Sequence, residues 1–143
     1  MNGVLATAVS GLRASSMWMD AIASNIANAR DEGPIPPTPP SQPIAPSSGS
    51  TPALYQPVAA AFTSVANGNG GVAGNIVTQL PSYDIVYDPS APAANVQGLV
   101  AMPNIDLATE FVDMKLATTA YKANIAVAKS ADKMMQATLD MVA

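Results

Sequence analysis

Neither cysteine nor histidine occurs among the 143 residues. Their absence removes thiolate nucleophiles and disulfides, the side chain that most often acts as a general base near neutral pH, and the usual zinc ligands. Charge is also scarce. Lys plus Arg number 6 and Asp plus Glu 10, giving a net charge of -4 with 11% of residues charged. No basic cluster is available to neutralise phosphates, so nucleic acid is not an expected partner. Long apolar runs are missing as well: a bilayer helix needs about 20 mostly apolar residues, and every candidate is interrupted by Arg, Asp, Lys or Pro. The start, MNGVLATAVSGL, carries no basic residue before Arg13, so no cleaved signal peptide is expected.

The chemistry that survives these absences is thin. Ser130 and Lys133 have the S-x-x-K spacing of some acylating serine enzymes, but the companion S-D-N and K-T-G elements are absent and both residues fall on a helix patterned for packing. Asp84 and Asp88 could share one strand face, yet nothing else builds a cleft around them. The glycine-rich run from Gly68 to Gly74 lacks the lysine and following helix of a phosphate loop and reads as a turn. No catalytic residue, cofactor, metal or small-molecule substrate is expected.

What the chain does have is two amphipathic ends. Leu5, Ala8, Leu12, Met19, Ile22 and Ile26 line one face of an N-terminal helix that ends by Gly33 and Pro34, with Trp18 off that stripe as an extra core contact or an anchor in another subunit. At the other end, Leu107, Phe111, Met114, Thr118, Tyr121, Ile125, Ala128, Asp132, Met135, Leu139 and Val142 alternate in steps of four and three. A second apolar row runs through Leu116, Ala120, Ala123, Val127, Met134, Ala137 and Met141, more than one short helix can cover. Asn104 or Asp106 can cap this helix, and Lys115, Lys122 and Lys129 recur on one edge as a solvated face or as partners for carboxylates of another subunit.

Between the ends, no charge appears from Gly33 to Tyr83, and most of the chain's 13 prolines fall in the first part of that stretch. PIPPTPPSQPIAPSSGS should be extended or disordered on its own, as a spacer or as an arm that gains order along a neighbour. Leu54 to Val65, Val72 to Gln79 and Tyr83 to Tyr87 have strand composition, and NGNGG at 67 to 71 is a turn signal. The expected fold is therefore mainly α: terminal helices packed in a coiled-coil-like arrangement, with a Pro-rich arm and a small β element between them. The expected divisions are an N-terminal helix at 1–33, the arm at 34–57, a small β or irregular region at 58–103, and a C-terminal helix at 104–143.

Three segments go further. Ala23-Ser24-Asn25-Ile26-Ala27-Asn28-Ala29 resembles the signature near the N-terminus of flagellar axial proteins, the rod and hook family. Tyr87-Asp88-Pro89, then Pro92, Ala94-Asn95, Gly98, Val100 and Met102-Pro103-Asn104-Ile105-Asp106, with Glu110 and Met114 beyond, is similar to a run in the proximal rod subunits of the flagellar basal body. Tyr121-Lys122-Ala123-Asn124 resembles the C-terminal helix of the same subunits. The middle is unmatched: Arg30-Asp31-Glu32-Gly33 leads into the proline tract where the family continues into a basic strand.

The resemblance implies a structural subunit of the periplasmic rod, exported by the flagellar apparatus without a cleaved signal and assembling helically through its terminal helices to transmit torque. Its partners would be copies of itself, other rod proteins and the export apparatus. With the apolar rows, it places the subunit interface at Leu12, Trp18, Ile22, Asn25, Ile26, Asn28, Phe111, Met114, Tyr121, Asn124, Ile125, Met135 and Leu139. The alternative is a secreted or adaptor-type binding module that dimerises through its helices and offers the Pro-rich segment as a ligand.

Overall fold

A computed structural model describes residues 2–45, 54–65 and 70–141. In chain order the elements are α1 (Asn2–Asn28), β1 (Val58–Ser64), β2 (Val72–Thr78), β3 (Tyr83–Tyr87), β4 (Leu99–Pro103) and α2 (Leu107–Asp140). Strands β1 and β2 form one two-stranded sheet, β3 and β4 another. This corrects the expectation of a mainly α chain: two terminal helices are present, but the fold is mixed, because the middle region builds two antiparallel sheets instead of one small β element. The Asn67–Asn69 part of the turn signal, residues 46–53 of the tract and its surroundings, and Val142 lie outside the described residues.

The chain divides into two compact units. The first gathers residues up to Asp20, Ala60–Ile76, and the chain from Phe111 onward. Within it α1 and α2 run antiparallel. Val4 shares a cleft with Ala126–Met134, a Cβ placed on Gly11 would meet the Asn124 side chain at 2.6 Å, and the Thr118 hydroxyl reaches Met19 Sδ at 3.8 Å. Contact this close needs small side chains. Ala8, Ala14 and Ser15 on α1, and Ala117 and Ala131 on α2, are the buried positions of the pair. The sheet of β1 and β2 joins the same unit. Ser10 Oγ accepts the Val72 N–H at 3.1 Å, and Trp18 stands edge-on to Phe62 with ring centroids 5.8 Å apart.

The second unit comprises Ala21–Ala59 and Val77–Glu110. Its centre is the antiparallel pair β3–β4, in register from Tyr83 opposite Pro103 to Tyr87 opposite Leu99. Gly33 and Ala101 exchange N–H···O bonds of 3.0 and 2.9 Å, which lays the start of the proline tract beside β4. Leu54, Tyr83 and Ala101 form the core, with Ile35 and Ile44 packed against it. Residues 34–45 therefore lie on the chain's own sheet. The Tyr83 hydroxyl donates to the Thr38 carbonyl at 2.7 Å, and Ser82 donates its N–H to the Pro40 carbonyl at 2.9 Å.

The long connection between β3 and β4 explains why the matched run has its residue types. Asp88 Oδ1 accepts the Ser90 N–H and hydroxyl, and Asn95 Oδ1 accepts the N–H groups of Gln97 and Leu99. Gly98 has φ of 74°, a left-handed conformation that glycine adopts without a Cβ clash. Asp106 then caps α2: its Oδ1 accepts the Ala108 N–H at 3.0 Å and its Oδ2 the Thr109 hydroxyl at 2.6 Å.

Candidate functional site

The most heavily connected side chain in the second unit is Asn25, 1% exposed near the end of α1. Its amide nitrogen donates to the Val58 carbonyl at 2.8 Å and to Glu110 Oε1 at 2.7 Å. Its amide oxygen accepts the Val58 N–H and the Tyr55 hydroxyl, each at 3.0 Å. An asparagine amide has two donor hydrogens and two acceptor lone pairs, and all four are engaged. One side chain thus ties the end of α1 to the start of β1 and to the first turn of α2. The segment before β1 is held a second time, by the Tyr55 N–H donating to Asp31 Oδ2 at 3.0 Å.

Glu110 is 8% exposed, and its negative charge is felt by Tyr55. Burial, chiefly, and the Glu110 charge raise the Tyr55 hydroxyl above its ordinary pKa of 10.0, against a smaller opposing hydrogen bond with Ser24. At neutral pH the phenol stays protonated and remains a donor to Asn25. The arrangement is a joint: Glu110 also lines a cleft of about 220 Å³ with Gln79, Asn104 and Asp106, but the hydrogen-bonding capacity of Asn25 is spent internally.

The residues proposed from sequence as an interface are split between the two units. In the second unit, Ile22 is buried at 2% exposure, Asn25 forms the joint, and Ile26 and Asn28 are half-buried, with Asn28 donating to the Ser24 carbonyl at 2.8 Å. In the first, Leu12, Met114, Tyr121, Ile125 and Met135 are half-buried, Trp18 meets Phe62, and Asn124 faces Gly11. Phe111 and Leu139 are exposed at 62% and 70%.

The large apolar residues of α2 are not what the helix buries. Glu110, Ala117 and Ala131 are its buried positions, and Asn124 completes a spacing of seven on one line that neither apolar row contains. Small and polar residues face inward, while Phe111, Val112, Leu116, Val127, Met134 and Leu139 are left on the surface. Sequence reading passed over Ala117, Ala131 and Gly11 because small residues carry almost no hydrophobic signal. Tyr55 and Val58 fall in a stretch of strand composition, but nothing local marks them as partners of Asn25.

A helix ending in a buried asparagine joint, paired closely with a longer helix that shows its bulk outward, defines a protein of the flagellar rod class once the sequence matches are added. Residues 96–141 match the family described as flagellar basal body rod FlgEFG protein C-terminal. The flagellar basal-body rod protein FlgC of Agrobacterium fabrum is 32% identical over 137 residues, 93% of this chain and 88% of that one. FlgC of Escherichia coli O157:H7 is 34% identical over 132 residues, 92% and 90% of the two chains, and FlgC of Salmonella typhimurium is 40% identical over 76 residues, 53% and 56%. The chain belongs to the FlgC family of flagellar basal-body rod proteins. These matches lend no support to an adaptor.

Proposed function

We propose that the chain is a structural subunit of the basal-body rod that assembles with copies of itself and with other rod proteins through the outward surfaces of α1 and α2. The reading extends to torque: the assembled subunit carries rotation across the periplasm and performs no chemistry. The observation that carries it is α2, which belongs to the matched family region and presents Phe111, Val112, Leu116, Val127, Met134 and Leu139 to solvent in a single chain. Val112, Leu116, Val127 and Met134 share one face at helical spacing, and an exposed apolar face of this kind is the mark of a protein interface. The remaining candidate for catalysis supports the same reading, since the Ser130 hydroxyl donates to the Ala126 carbonyl at 2.9 Å on an exposed helix turn. Export through the flagellar apparatus, with the N-terminus uncleaved, belongs to the proposal as well.

The test is deletion of the gene, followed by isolation of basal bodies and a density map of complemented cells. Loss of motility with truncated rods, restored by the intact chain and with its density inside the rod, is the expected result. Normal rods and full motility in the deletion strain would sink the reading.

A further inference from the structure

The first unit has a groove of about 630 Å³ between α1 and β2, lined by Leu5, Val9, Met17 and Val72, with Arg13 as its charged member. One wall is fixed by the Ser10 bond to the Val72 N–H, and Ser10 in turn donates to the Thr7 carbonyl at 2.7 Å. The same unit carries a segment suited to such a groove. The cleft that Val4 forms with Ala126–Met134 marks where α1 begins beside α2, and α2 continues to Asp140, about 9 Å of helix further. That overhang shows Leu139 at 70% exposure, followed by Met141 at 87%.

Charge matches as well as polarity. Arg13 and Asp140 are exposed, and neither has a hydrogen-bond or ion-pair partner among the described residues. The last turn of α2 contains no basic residue, so the partial negative charge of its C-terminus adds to that of Asp140. We infer that the overhang of one copy seats in the α1–β2 groove of a neighbouring copy, with Leu139 among Leu5, Val9 and Met17, and Asp140 against Arg13. Groove and overhang are different surfaces, so the contact is head-to-tail and adds subunits without using itself up. The inference rests on the rod reading and names one contact within it.

The lack of cysteine in the natural chain allows a clean test. One copy carrying Ala6→Cys in the groove and a second carrying Leu139→Cys on the overhang are made together in the cell, basal bodies are isolated, and mild oxidant is added. Both positions are exposed, so the substitutions leave the packed line intact. The expected result is a crosslinked dimer from the mixture and none from either variant alone. Adding Arg13→Asp or Asp140→Arg should abolish the crosslink, and the two reversals together should restore it. No crosslink from basal bodies that contain both copies would overturn the inference while leaving the rod reading intact. Groove density belonging to a different rod protein would overturn it too. Absence of the chain from basal bodies altogether would remove the rod reading and the inference with it.

Discussion

Asn25→Leu keeps nearly the volume of the side chain and deletes every bond of the joint. The Glu110 carboxylate loses the Asn25 donor, and both backbone groups of Val58 lose their side-chain partner. Removing a buried partner from a charged group, and from two backbone groups besides, weakens what offsets their desolvation, so the substitution should destabilise the second unit by roughly 3 kcal/mol. Denaturant unfolding of the intact chain would measure it, and a loss below about 1 kcal/mol, the size of an ordinary exposed hydrogen bond, would mean that the joint is not a stability centre. Tyr55 offers a spectroscopic check on the same group. Its folded pKa is raised, so its contribution to stability is complete below the unfolded value near 10.0 and is lost as pH climbs through the folded value. Comparing the tyrosinate absorbance titration with that of Tyr55→Phe should isolate one ionisation displaced above 10.0.

At the scale of the element, the start of α2 is set by Asp106. Hydrogen bonds from the Thr109 hydroxyl, then from the Ala108 N–H, hold its carboxyl below the ordinary value of 3.8. The cap therefore stabilises fully above the unfolded pKa and fades as pH falls through the folded one. Hydrogen-exchange protection at the Ala108 amide, measured against its intrinsic rate, should be present well above pH 3.8 and fall as pH drops below that value. Asp106→Ala should lack that protection throughout. This cap was legible in the sequence, because an aspartate following Pro103 and preceding an apolar periodic run is a local signal. Strand β4 was not: Leu99–Pro103 ends in proline and acquires its conformation by pairing with Tyr83–Tyr87. Order in the proline tract was equally invisible. Prolines contribute carbonyls and no N–H, so the tract has few donors of its own, and the donors that fix its Thr38 and Pro40 carbonyls, Tyr83 and Ser82, stand more than thirty residues downstream. The small side chains that α2 buries within the chain, Ala117 and Ala131, were likewise illegible, since periodicity weighs bulk.

For the whole molecule, the two helices need each other in chemical detail. A chain stopped after Pro103 lacks Glu110, Thr118 and Asn124, which meet Asn25, Met19 and Gly11 in the full chain. An isolated helix is marginal in water, and in that fragment α1 keeps only its contacts with Tyr55, β1 and β2, so its amide protection should fall well below that of the full chain. Protection equal to that of the full chain would show that α1 is autonomous. The separations involved, 85 positions from Asn25 to Glu110 and 99 from Met19 to Thr118, bear on time as well as stability. Contacts so remote form only after a large loop has been closed, and chains dominated by them fold slowly. While its last helix is still being synthesised, a new copy can hold α1 through Tyr55, β1 and β2 but not yet through α2. The asparagine joint is for that reason made in two stages by the growing polypeptide: its bonds to Tyr55 and Val58 become possible once β1 has emerged, and its bond to Glu110 only when the first turn of α2 follows.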